Sequence, residues 1–110
     1  MELSFLGAIE SVASARRHLA EGAIRPCSHE IQRAWDILRD LKLDVEDPLL
    51  EHAWKRNLVS MFAYLQTRLM EAKSQRSDMV LREVEDQLLR LQMSWENEGP
   101  LAHTSFETLK

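Results

Sequence analysis

Residues 57–72 carry more apolar side chains than one buried seam requires. At about 100° per residue, Leu50, Trp54, Leu58, Met61, Phe62, Leu65, Leu69 and Ala72 share one broad face, and Val59, Ala63 and Met70 lie nearly opposite. A helix that is apolar most of the way round wants neighbours on two sides. Three other stretches have the same period. Residues 2–21 align Phe5, Ile9, Val12 and Leu19 with Ala8, Ala13, Ala15 and Ala20, and Gly22 follows as a C′ residue. Gly7, Ala8, Ala13 and Ala15 are small enough to admit a partner helix closely, while Arg16 sits on the apolar side and snorkels along its edge.

Residues 28–43 set Ile31, Ala34, Trp35, Leu38 and Leu41 on one face with Ile37 at the margin. Pro26 blocks helix continuation in the linker before them, Ser28 reads as the N-cap, and Gln32 is placed to close a local capping arrangement. Asp47 and Pro48 are a matched N-cap and N1 pair for a third helix reaching residue 73. Ser77 or Asp78 starts a fourth, whose main face is Val80, Leu81, Val84, Leu88, Leu91 and Trp95, with Met79, Leu89 and Met93 as a second group. Gly99-Pro100 is expected to stop it near Asn97. Four helices on short loops make neighbours antiparallel. The expected fold is therefore all-α, an antiparallel up-down four-helix bundle over residues 1–98, followed by a flexible tail over 99–110 that has no period.

Composition narrows the function. A chain of 110 residues is one domain, and its net charge of −4 argues against nucleic acid as a main partner. The single Cys27 forms no internal disulfide and fits a reducing compartment. No basic start precedes the short apolar run after Glu2, so that run does not read as a secretory signal, and nothing approaches the ~18 apolar residues of a membrane span. These features read as a soluble, cytoplasmic protein.

Catalytic and metal chemistry is not apparent. His18, His29, His52 and His103 lack helical metal-site spacing, and Cys27-x-His29 is the only close thiol–imidazole pair, read as a linker cysteine beside an exposed histidine. No acid has a histidine three residues after it, as carboxylate-bridged metal bundles require. Asp44, Glu46 and Asp47 lack the glycine and closing glutamate of a calcium loop. The expectation is a protein that is not an enzyme and carries no cofactor. Trp35, Trp54 and Trp95 each fall on the main face of a different helix and are read as core. Met70, Met79 and Met93, beside Val59, Ala63 and Leu89, are either scattered exposed residues or an adaptable surface for a helical guest.

The order of several blocks resembles the flagellin-specific export chaperones, the FliS family. Phe5-Leu6-Gly7-Ala8-Ile9 is similar to the family's L-[FY]-x-G-A. Ala15-Arg16 is followed by Glu21-Gly22-Ala23-Ile24, similar to its E-G-D-[IV] turn. Asn57-Leu58, Met61-Phe62, Tyr64-Leu65, Arg68-Leu69 and Glu71-Ala72 resemble N-L-x-x-L-Y-x-Y-M-x-x-R-L-x-x-A, and Glu83-Val84 through Leu91 to Trp95 resembles the last helix. The likeness runs from about Leu3 to Glu96.

The resemblance implies a cytoplasmic chaperone that binds the disordered C-terminal segment of flagellin in apolar clefts, prevents premature polymerisation and delivers it to the export apparatus, whose components are further expected partners. Ile31, Leu38, Leu41, Leu58, Phe62, Leu65 and Leu69 are the expected groove residues, with core packing as their other reading. The chain departs from the family in opening at Met1-Glu2-Leu3, without the T-A-S-P-like segment, and in carrying Trp54 and Lys55 where the family has small residues. A shortened paralogue with another client is the alternative. It would be an interaction protein that uses Val59, Ala63, Met70, Met79, Leu89 and Met93 to form a homodimer or dock on another bundle.

Overall fold

The computed structural model describes residues 4–46 and 53–109, with side chains described over 4–46 and 55–95. Helix α1 spans Leu6–Ala20, α2 Ile24–Val45, α3 Ala53–Gln75 and α4 Asp78–Leu109. Each packs on its sequence neighbours, and α1 also packs on α4, closing a ring of four; the described residues include no strand. The all-α bundle is as expected.

The packing follows from a 3-4 spacing of buried positions in every helix. Ala8, Val12 and Ala15 lie inward on α1; Cys27, Ile31, Ala34, Leu38 and Val45 on α2; Leu58, Phe62, Leu65, Leu69 and Ala72 on α3; Leu81, Val84, Leu88 and Trp95 on α4. That spacing keeps one seam facing inward over several turns, as in left-handed bundles. Phe5, just before α1, closes one end, its ring tilted 51° against Phe62 at 5.9 Å. The Phe5 amide donates to Gln92 Oε1 at 2.6 Å, so a buried polar group of α4 holds the start of α1.

The helix ends show where local chemistry decided the chain's course. Gly22 has φ 74°, the left-handed conformation glycine accepts at no steric cost. The Gly22 amide donates to the Leu19 carbonyl at 3.1 Å and the Ala23 amide to His18 at 2.8 Å, the paired bonds of a Schellman ending. Ser77 Oγ accepts the Val80 amide at 3.3 Å and caps α4.

Two boundaries differ from the sequence reading. Helix α2 begins at Ile24 rather than Ser28, because Pro26 sits in its first turn, where a missing N–H loses no intrahelical bond. Cys27 is therefore a buried helical residue and not part of a linker, and its amide makes an early bond of α2 to the Ala23 carbonyl. Gln32 bonds Asp36 on the helix surface instead of closing a cap at Ser28. Helix α4 continues through Gly99 and Pro100 to Leu109, past the stop expected near Asn97. The expected Asp47-Pro48 start of the third helix lies outside the described residues.

Candidate functional site

A groove of about 560 Å³ runs along the outside of the α2–α3 seam. Trp35 of α2 forms one wall; Ala63, Gln66, Thr67, Met70, Glu71 and Ser74 of α3 form the other. Gln66 is buried at 7% exposure, and its Nε2 donates across the seam to the Trp35 carbonyl at 3.4 Å, a long bond. The Arg39 guanidinium lies 5.9 Å from the Trp35 ring centroid, within cation–π range. Thr67 spends its hydroxyl proton on the Ala63 carbonyl one turn back, at 3.1 Å. The groove is thus an apolar strip of Trp35, Ala63 and Met70 edged by polar side chains.

On its other flank α3 is fastened to α4. Arg68 donates through Nε to Glu83 Oε1 at 2.9 Å and through Nη2 to Glu83 Oε2 at 3.1 Å, and it also pairs with Glu71. The Tyr64 hydroxyl donates to the same Glu83 at 2.8 Å. These bonds, that from Arg68 first, hold the Glu83 carboxyl below the usual carboxylate range, while the carboxylate raises the Tyr64 phenol above its ordinary value. A second arginine fastens α1 to α4: Arg16 grips Asp78 with Nε and Nη2 at 2.9 and 3.2 Å and Glu85 with Nη1 at 2.7 Å. Arg16 is thereby held firmly charged, and the Asp78 carboxyl is lowered by the hydrogen bonds from Arg16. Arg68 and Glu83 belong to the sequence blocks set out above, and Arg16 to another; pairing them required the helix arrangement.

Of the residues the resemblance placed in a groove, Ile31, Leu38, Leu58, Phe62, Leu65 and Leu69 lie buried in the core, and Leu41 is half-buried at its edge. The second set divides. Ala63 and Met70 line the α2–α3 groove, and Val59 packs at the core edge. Met79, Leu89 and Met93 lie on α4, at 81%, 42% and 60% exposure, away from that groove. Trp35, expected in the core, is half-buried and walls the groove, as the helical spacing alone could not distinguish. Trp95 is buried, and the side chain of Trp54 lies outside those described.

Among the described residues no group of three or more histidine, cysteine or acidic side chains is placed to hold a metal ion. Cys27 is buried, and burial raises its thiol pKa; His29 is exposed. No helix among the described residues is long and apolar enough to cross a membrane.

The fold is a closed four-helix bundle with an apolar groove on its outside. The profile of the family described as flagellar protein FliS matches residues 1–101, and the chain belongs to that family. FliS proteins are cytoplasmic flagellar export chaperones for flagellin and are not enzymes. No curated protein matches the chain significantly.

Proposed function

We propose that this chain performs the family's flagellin-chaperone activity by seating a segment of flagellin in the α2–α3 groove, against Trp35, Ala63 and Met70. The carrying observation is that groove, where apolar side chains of two helices converge at the surface over a core that is already filled. A guest helix lays its apolar face into such a strip, and the thioether of Met70 adapts to its shape. The buried residues Ile31, Leu38, Leu58, Phe62, Leu65 and Leu69 act beneath it by fixing the separation of α2 and α3, and Leu41 continues the apolar margin along α2. Delivery to the export apparatus follows the same reading.

Calorimetric titration of a flagellin C-terminal peptide tests it. Wild type is expected to bind at micromolar concentration with a gain of peptide helix by circular dichroism, and Met70→Glu is expected to lose most of that affinity. No heat with wild type would refute flagellin as client. Unchanged affinity in Met70→Glu would refute the groove while leaving the client standing.

The exposure of Leu89 and Met93 on α4 supports a second reading, self-association through that face. Sedimentation of wild type and Met93→Glu checks it: a wild-type dimer that the substitution dissociates supports the reading, and a wild-type monomer removes it.

A further inference from the structure

The bundle has a second surface concavity, of about 770 Å³, between α1 and α4 where α1 ends and α4 begins. Its lining includes Arg16, Arg17, Arg76, Asp78 and Glu85, with the half-buried Ala13 and Leu19 as its apolar floor. The charge of Arg16 is engaged by Asp78 and Glu85. Arg17 and Arg76 form no ion pair or hydrogen bond through their side chains among the described residues. Arg17 also borders a smaller recess holding Glu10 and Glu30 and pairs with neither. Two unengaged guanidinium groups therefore flank one concavity in a chain whose net charge is −4.

Arg76 is the residue just past the end of α3, and its φ of 50° belongs to a left-handed helix ending in which the Ser77 amide returns to the Ala72 carbonyl at 3.2 Å. That ending fixes the position from which the Arg76 side chain reaches the concavity.

We propose that this α1–α4 concavity is a docking site for an acidic peptide segment of a partner protein, whose carboxylates pair with Arg17 and Arg76. Guanidinium groups take carboxylates bidentately, and the apolar floor accepts a small side chain beside the acid. A short acidic segment needs only these two guanidinium groups, whereas a nucleic acid needs an extended basic surface, which a chain of net charge −4 does not offer. The linings of this site and of the α2–α3 groove share no residue, although Ser74 of the groove and Arg76 stand at the same end of α3. The site does not depend on flagellin being the client.

Fluorescence anisotropy with a labelled peptide of alternating alanine and glutamate, at low salt, tests the proposal on the full chain. Saturable binding is expected, weakened about tenfold or more in the double variant Arg17→Gln, Arg76→Asn, as loss of two charge-assisted contacts requires. Both positions are exposed, and asparagine tolerates the left-handed turn, so the double variant keeps its fold; an unchanged urea midpoint checks this. Arg17→Lys, Arg76→Lys keeps the charge but not the bidentate geometry and should fall between wild type and the Gln/Asn variant, and Met70→Glu should leave the affinity unchanged. Equal affinity in the Gln/Asn variant, no saturable binding, or equally tight binding of an alanine–lysine peptide would overturn the proposal. So would tighter binding of a single-stranded oligonucleotide, or loss of binding in Met70→Glu.

Discussion

Leu65→Ala separates core from groove on α3. Leu65 is fully buried, at 0% exposure, between Phe62 and Leu69 on the inner seam. The substitution deletes three carbon groups; at roughly 0.8 kcal/mol each, the lost transfer free energy is about 2.4 kcal/mol. The cavity left behind adds to this, because the surrounding helices relax only in part, and buried leucine-to-alanine changes cost about 2–5 kcal/mol in all. We expect about 3 kcal/mol, measured by urea denaturation followed at the helical circular dichroism band. With a urea slope of about 1–3 kcal/mol per molar for a domain of this size, the midpoint falls by about 1–3 M. A natural domain with roughly 5–15 kcal/mol of stability survives such a loss, so the folded variant can be titrated with the flagellin peptide in the cold. Its affinity should lie within about threefold of wild type, a difference of less than 1 kcal/mol. Met70→Glu should give the opposite pair of results: a midpoint near wild type and a large loss of affinity. If Leu65→Ala barely moved the midpoint yet abolished peptide binding, the assignment of Leu65 to the core would be refuted.

Other expectations concern the fastenings. Replacing Gln92 with leucine leaves the buried Phe5 amide without the acceptor it now has at 2.6 Å; the cost should be about 1–3 kcal/mol in urea melts, with faster hydrogen exchange at that amide. Arg76→Gly relieves a left-handed residue worth roughly 1–2 kcal/mol, less the extra freedom of glycine in the unfolded chain, and should stabilise by about 0.5–1 kcal/mol in the same assay. Asp78 and Glu83 have carboxyl pKa values lowered in the folded state. Their contribution is fully present above the ordinary carboxylate range and is lost as pH falls through it toward the lower folded values. The urea midpoint should drop between about pH 5 and pH 3, and Glu83→Gln should flatten that slope; an unchanged slope would show that the Arg68 fastening does not favour the folded state.

Much of the fold was legible because period identifies a face. The inward positions Ile31, Ala34 and Leu38 of α2 and Phe62, Leu65 and Leu69 of α3 are those the 3.6-residue repeat selects. Depth is another matter. Periodicity puts Trp35 on the same side of α2 as Leu38, yet Leu38 is enclosed and Trp35 stands at the groove margin. Nor does it say which faces of different helices meet. Ala63 and Met70 belong with Trp35, while Met79, Leu89 and Met93 belong to α4, though by period all five are leftover apolar surface. Pro26 misled because the same residue that stops one helix is tolerated in the first turn of the next, and only the Ala23 carbonyl taking the Cys27 amide distinguishes the cases.

The two flanks of α3 are held differently, and on the proposed reading the difference bears on how a guest is seated. Toward α4, Arg68 pairs with Glu83 through two nitrogens, and Tyr64 adds a third bond to the same carboxylate. Exposed ion pairs contribute little singly, but a bidentate arginine sharing its acceptor with a tyrosine fixes the register of one helix on the other. Toward α2, Gln66 makes a 3.4 Å contact with the Trp35 carbonyl, and the core residues of that seam pack as apolar side chains. Apolar packing has no directional term, whereas the Arg68–Glu83 pair fixes how α3 faces α4. On the proposed reading, that pair holds α3 on the flank away from the groove, so a guest seated against Trp35, Ala63 and Met70 meets a helix whose facing is already set.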